Sequence, residues 1–268
     1  MIAQAAIRKT VLSVENVAMQ FGGLVALSDL NFTVGDGEIL SLIGPNGAGK
    51  TTAFNLMTGF LTPTKGEVKY RGIALKGLKS HEIADLGLIR TFQRTSVFPR
   101  DTVFDNVLIG LHRQGKVSLL DAVLGLPRAR ASERAQRERA AELVRWIGLD
   151  ARVNDLAGSL SYGEQRLVGV ALALAAQPRM LLLDEPVSGM NASETHAFVQ
   201  LIRSIRDRGV TILLVEHDMP MVMSVSDRIV VLNYGRIIAE GPPETIRNDP
   251  AVIEAYLGQG AKKVTERA

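Results

Sequence analysis

The sequence predicts an α/β fold built on a mostly parallel sheet, with an α-helical subdomain inserted into it. Three observations carry that expectation. Short aliphatic runs alternate with helical segments along most of the chain. A complete phosphate-cradling motif stands between a strand and a helix. The segment 101–160 shows helical spacing and no convincing strand.

The 268 residues, 46% hydrophobic and 22% charged, are enough for one large domain or a domain with an insert. Near the N-terminus "LSVENVAMQF", "NFTV" and "GEILSLIG" alternate apolar and polar residues as half-buried strands do. "AFNLMTGF" after them has helical apolar spacing. In 101–160, "DTVFDNVLIGLH" and "RARASERAQRERAAELVRWIGL" read as helices, the second with an Arg/Glu/Ala-rich exposed face. "RMLLLDEP", "VTILLVEH" and "DRIVVLNYG" are short aliphatic strands, and "ASETHAFVQLIRSIRDRG" between the first two is a helix that stops at a glycine. The division expected is a core of residues 1–100 and 161–268 around a helical subdomain of 101–160, with a polar, frayed tail after Gly260.

Composition narrows the function classes. With no cysteine, the sequence offers no disulfide, thiolate metal site or cysteine nucleophile. A net charge of +3 is a small surplus for this length and gives little support to a nucleic-acid partner. The start "MIAQAAIRKT" lacks the pattern of a secretory signal, and runs such as "LVGVALALAA" fall short of the ~18 apolar residues that span a bilayer. A soluble chain that meets a membrane only through a partner is expected.

"GPNGAGKT", Gly44 to Thr51, matches G-x-x-x-x-G-K-[ST] in full. Its glycines let backbone N–H groups converge on phosphate oxygens, and the helix that follows adds its positive dipole end. Gly44, Pro45, Asn46, Gly47, Ala48 and Gly49 form the cradle. Lys50 is expected on the β- and γ-phosphates, Thr51 on Mg²⁺ and Thr52 on the α-phosphate side. "RMLLLDEP" then brings Asp184 to a strand end, where it holds the metal across the site. Glu185 is placed to orient and polarise an attacking water. His217 ends the next strand; alone it reads more readily as structural, but at the same sheet edge it meets the γ-phosphate. Gln93, in "RTFQRTSVFP", offers an amide to metal or water. In "LSYGEQRLVGVALAL", Ser161 and Glu164 make a capping box, which by itself accounts for the polar residues in front of an apolar helix.

Taken in order, the P-loop, Gln93, "LSYGEQ", Asp184–Glu185 and His217 resemble the nucleotide-binding subunit of ATP-binding cassette (ABC) transporters over almost the whole chain. The finer resemblance is to the subunits of high-affinity branched-chain amino acid importers, carried by "FGGLVAL", "TGFLTPTKGEV", "RTFQ", "LSYGEQRLV", "VEHDMPMVM" and "AEGPPETIRNDPAVIEAYLG". Subunits for urea, short amides or lipopolysaccharide export share much of these strings. The fold so implied is a P-loop NTPase core with a mostly parallel sheet, an N-terminal antiparallel β part and the helical insert.

The resemblance also implies roles. "LSYGEQ" becomes the signature, normally Leu-Ser-Gly-Gly-Gln, whose Ser161, Gly163 and Gln165 bind the γ-phosphate of ATP held by a second copy. Phe21 falls where the family stacks an aromatic on adenine; a core aromatic at a strand end is the alternative. Met190–Asn191 stand where the family's D-loop reads Leu-Asp, so the usual carboxylate is absent. Tyr162 and Glu164 depart from the commonest signature, and Tyr162 fits only with its ring turned away from the phosphate. Phe98 and Pro99 are expected near a groove that receives a short helix of a membrane subunit.

The implied cofactors are ATP and Mg²⁺. The implied partners are integral-membrane permease subunits and a second ATP-binding subunit, identical or paralogous, with an external solute-binding protein reached only indirectly. The place is the cytoplasmic face of the inner membrane. A soluble cassette acting on nucleic acid is disfavoured by the single P-loop and modest charge, and a non-hydrolysing cassette by Glu185 and His217.

Overall fold

In a computed structural model, residues 8–91, 97–111 and 127–256 are described. The strands form two sheets. β1 (Thr10–Phe21) and β2 (Leu24–Gly35) pair as an antiparallel hairpin. β4 (Lys65–Tyr70) pairs with β1, and β5 (Ile73–Ala74) with β4, giving a four-stranded antiparallel sheet of order β2-β1-β4-β5. The pattern of β1 alternates buried and exposed positions, as one-sided sheets require.

The second sheet contains β3 (Ile39–Ile43), β6 (Leu88–Arg90), β7 (Met180–Asp184), β8 (Thr211–Val215), β9 (Arg228–Asn233) and β10 (Arg236–Gly241), in the order β10-β9-β3-β8-β7-β6. All its pairs are parallel except β9–β10. β3, β7 and β8 are buried at every position, because both faces of this sheet are covered.

The helices are α1 (Lys50–Met57), α2 (Ser80–Asp85), α3 (Val103–Leu111), α4 (Pro127–Trp146), α5 (Tyr162–Ala175), α6 (Ala192–Asp207), α7 (Met219–Val225), α8 (Pro243–Arg247) and α9 (250–256). α1 is shorter than the spacing of "AFNLMTGF" predicts. After Met57 the Phe60 and Leu61 amides both fold back onto the Asn55 carbonyl, at 2.9 and 3.2 Å, and close the helix. β4, β5 and α2, which periodicity does not announce, fill the segment that follows.

One apolar cluster joins the inner face of the parallel sheet (Leu181, Leu183, Ile212, Leu214) to α3, α4, α5 and α6. The helical segment thus shares its core with the sheet. Between 101 and 160 the described residues contain a single isolated bridge, Thr102 to Leu156, and otherwise helix and turn. The exposed side of α4 carries the ion pairs Arg134–Glu138 and Arg137–Glu133 at i,i+4 spacing. A second cluster packs β1, β2 and α1 against the other face of the sheet. The two sheets are also bolted by a half-buried Arg228, which holds the buried Glu38 carboxylate at 2.8 Å, the Thr33 carbonyl and Glu240.

Candidate functional site

The register of the parallel sheet decides where the motifs meet. Leu42 in β3 is level with Val215 in β8, and Val215 is level with Asp184 in β7. Three strands therefore end together, and the loops leaving them carry Gly44–Lys50, Asp184–Glu185 and Glu216–His217. Ligands of open α/β sheets sit at this carboxyl edge.

The cradle needs its glycines. Gly44 has φ 151° and Gly49 φ 104°. A Cβ at Gly44 would lie 2.1 Å from the Leu232 carbonyl oxygen, and one at Gly49 2.7 Å from Leu27 Cδ2. Close packing by β2 and β9 thus holds the loop in a conformation closed to other residues. Gly49 is the N-cap of α1, leaving the first amides of that helix directed at the loop. Asn46 and Gly47 are exposed and Pro45 and Ala48 are buried, while Thr51 is exposed and Thr52 half-buried.

Lys50 is 8% exposed, and its ammonium donates to the Gly44 and Pro45 carbonyls at 2.6 and 3.1 Å. Burial pushes its pKa down, opposed by the charges of Glu185 and Asp184. The side chain is thus folded along the loop.

Asp184 is 3% exposed. Burial raises its pKa; Arg90 and Arg166 act in the opposite sense, and Glu185 and Glu216 reinforce the rise. A buried carboxylate in that condition fits a divalent cation. Among the described residues no cluster of three or more His, Asp or Glu side chains forms a cage. That suits Mg²⁺, which takes one or two protein oxygens and completes its shell with phosphate and water. Thr51 and Asp184 are the candidate donors.

Glu185 sits at φ 45°, a left-handed conformation rare outside glycine and asparagine. It is fixed there by its amide on the Val215 carbonyl at 2.8 Å and its carbonyl taking the Ser188 amide at 3.3 Å. His217 Nδ1 lies 3.7 Å from Glu185 Oε1, with the imidazole more than half exposed toward the edge. The sheet therefore brings Lys50, Asp184, Glu185 and His217 to one rim. Gln93 lies outside the described residues. Phe21, 45% exposed, ends β1 on the hairpin whose Ala26 and Leu27 pack against Gly49, so the hairpin borders the cradle.

Ser161, Gly163 and Gln165 lie at the start of α5, Ser161 as its N-cap. Ser161 Oγ accepts the Glu164 amide at 3.2 Å and Glu164 returns to the Ser161 amide at 2.8 Å, completing the capping box. Gln165 donates to the Leu160 carbonyl at 3.1 Å. The Tyr162 ring lies against Gly189, and Arg166 donates to its hydroxyl at 2.6 Å. Asn191 caps α6, its side chain accepting the Ser193 and Glu194 amides at 2.9 and 3.0 Å.

Three groups escape a reading of the sequence. Glu216, fully buried, accepts the amides of Val187, His217 and Asp218 and so organises the loops after β7 and β8. Arg90 lies over Phe54 and Phe60, bonds Asn55 and Thr58, and places its charge near Asp184. Arg166 adds a second charge there. Their only written signal is a charged residue beside an aliphatic strand or inside an apolar helix.

A cavity of about 460 Å³ opens between the sheet core and the helices, lined by Phe60, Ile83, Ile109, Arg166, Gly169 and Pro186 among others. Phe98 and Pro99 are outside its lining. They sit in the turn before α3, where the buried Asn106 bonds both the amide and carbonyl of Phe98.

Known proteins share this arrangement. A family model described as "ABC transporter" matches residues 27–188, and one described as "Branched-chain amino acid ATP-binding cassette transporter" matches 236–262. The high-affinity branched-chain amino acid transport ATP-binding protein LivG of Escherichia coli K12 is 46% identical over 249 residues, 92% of this chain and 98% of that protein. An ATP-binding cassette of an ABC transporter in its ADP conformation superposes with a TM-score of 0.81 at 31% identity, covering 93% and 99% of the two chains. A bacterial ABC transporter cassette of dimeric structure matches with a TM-score of 0.74 at 26% identity, over 87% and 98%. With a family model matched over more than half of its length and relatives alike over nearly all of it, the chain belongs to the ABC transporter family as an ATP-binding, ATP-hydrolysing subunit.

Proposed function

We propose that this subunit powers an importer of branched-chain or related amino acids from the cytoplasmic face of the inner membrane. The observation that carries the catalytic part is the shared strand register of Leu42, Val215 and Asp184, which puts cradle, acid pair and histidine on one rim. The solute class is supported by the match over 236–262 and by the likeness to LivG. Association with the membrane through permease subunits is supported by the cavity between sheet and helices, whose apolar lining suits a short helix of such a partner. No helix among the described residues is long and apolar enough to cross a membrane. The division into a core of 1–100 and 161–268 and a helical subdomain of 101–160 belongs to the same proposal.

In the proposed cycle the amides of Gly44–Thr52 and the Lys50 ammonium hold the phosphates of ATP, and Phe21 stacks on its adenine. Thr51 and Asp184, with Gln93, hold Mg²⁺, which when bound neutralises charge on the transferring phosphoryl group. Glu185 orients the attacking water and takes its proton as the new P–O bond forms and the bond from the γ-phosphorus to the β,γ-bridging oxygen breaks, releasing ADP. His217 donates to the γ-phosphate, where negative charge is held in the transition state. Ser161, Gly163 and Gln165 contact the γ-phosphate bound by a second subunit, so that two ATP molecules are enclosed head to tail.

The shared site is tested by complementation. Glu185→Gln is expected to keep ATP binding, to associate in its presence and to lose about a hundredfold or more in turnover. Ser161→Arg blocks the other half of the site. Mixed, the two variants form one site with both halves intact, and phosphate release should exceed the sum of the separate proteins. A mixture no more active than that sum, together with no ATP-dependent association of Glu185→Gln in sedimentation, would remove the signature from the site.

A further inference from the structure

The signature and the loop after β7 touch within one subunit, at a residue that departs from the commonest form of the family. Tyr162 stands where glycine is usual. Its ring closes on Gly189: a Cβ at that glycine would meet Tyr162 Cδ1 at 3.1 Å. Arg166, buried in the same turn of helix, holds the ring by the hydroxyl at 2.6 Å and by its guanidinium carbon 5.0 Å from the ring centroid. A second contact lies beside the first, where a Cβ on Gly163 would come 3.3 Å from the Glu194 carboxyl group. That carboxylate also accepts the Asn191 amide at 2.9 Å.

From Gly189 the backbone runs stiffly back to the catalytic carboxylate. The Met190 amide bonds the Val187 carbonyl at 3.0 Å, the Val187 amide bonds buried Glu216 at 3.1 Å, and the Ser188 amide bonds the Glu185 carbonyl at 3.3 Å. The segment ends at Glu185 in its left-handed, strained conformation. Glycine at position 162 has no side chain to cover Gly189, and the first turn of α5 would then be free of this loop.

We propose that Tyr162 is a positioning residue that couples the two ATP sites of the closed pair. A phosphate from the partner, gripped at the start of α5, presses through Tyr162 on Gly189 and sets the backbone that carries Glu185 of the same subunit. Occupation of one site thereby prepares the base of the other, and the coupling is reciprocal for binding. The inference rests on the proposed role of Ser161 and Gly163 as a contact for the partner's nucleotide, so its test keeps the two apart.

ATP hydrolysis is measured against ATP concentration for the full chain and for Tyr162→Gly, Tyr162→Ala and Tyr162→Phe. ATP-driven association is measured for the same forms in a Glu185→Gln background. The parent chain is expected to show a Hill coefficient above one. Tyr162→Gly and Tyr162→Ala are each expected to bring it to about one and to lower kcat about tenfold, with KM changed less than about twofold. Tyr162→Phe keeps the ring on Gly189 and is expected to retain the parent's Hill coefficient. Association in the Glu185→Gln background should persist in all forms.

A parent Hill coefficient of one, or glycine and alanine variants that keep the parent's cooperativity and kcat, would overturn the coupling and leave the shared site standing. So would a phenylalanine variant as impaired as the glycine variant, since the hydroxyl rather than the ring contact would then act. Loss of association in the glycine variant alone would place Tyr162 in the grip itself and also overturn the proposal. Failure of every form to associate overturns the shared site and the coupling with it.

Discussion

At the scale of single residues, position in the sheet changes what a side chain is. Lys50 and Asp184 are ordinary by type, yet one is buried at the start of α1 and the other at the end of β7, each with its pKa displaced toward the neutral form. For Asp184 the folded pKa lies above the unfolded one. Below the unfolded value, near 3.8, both states are protonated and the carboxyl group costs nothing; as pH rises through the folded value the buried charge costs its full amount. Asp184→Asn is therefore expected to raise Tm of the nucleotide-free chain at pH 7 while losing Mg²⁺-dependent nucleotide binding. The gain in Tm should shrink as pH is lowered toward 3.8, in thermal melts of both proteins over that range. Lys50, Thr51, Asp184 and Glu185 are legible in the sequence because residue type and spacing already define their chemistry. Glu216, Arg90 and Arg166 are not, because Val187, Asn55 and Asp184, the groups that they respectively hold or face, are supplied by other segments.

At the scale of elements, local signals are kept wherever the chain's own neighbours supply the partners. The capping box at Ser161 forms as its spacing predicts, and Asn191 with Glu194 makes a second one at α6. β3, β7 and β8 are the aliphatic runs expected. α2, β4 and β5 are short and carry weak periodicity, so nothing local distinguishes them from loop. The cradle is the element most constrained by its surroundings. Gly44→Ala would set a methyl group against the Leu232 carbonyl in a backbone region closed to alanine. A loss of about 2–4 kcal/mol in stability is expected, read from urea unfolding, together with loss of nucleotide binding.

At the scale of the whole molecule, the cavity between the sheet core and the helices is the proposed seat of a partner's element. Ile109, 38% exposed in that lining, is the residue to charge. Ile109→Glu is expected to release the chain from membranes in co-purification, with ATP affinity measured alongside to show that the cradle is intact; retention on membranes would move the docking surface elsewhere. The sequence by itself determined the class of fold, the glycine loop before α1, the acid pair after β7 and the capping box at Ser161, because each is written in residues close along the chain. Tertiary structure alone decided that β3, β8 and β7 end level, that Tyr162 turns onto Gly189, and that Glu216 ties two loops together. Such contacts join residues far apart in the chain, and the partner of each is chosen only when strands and helices pack.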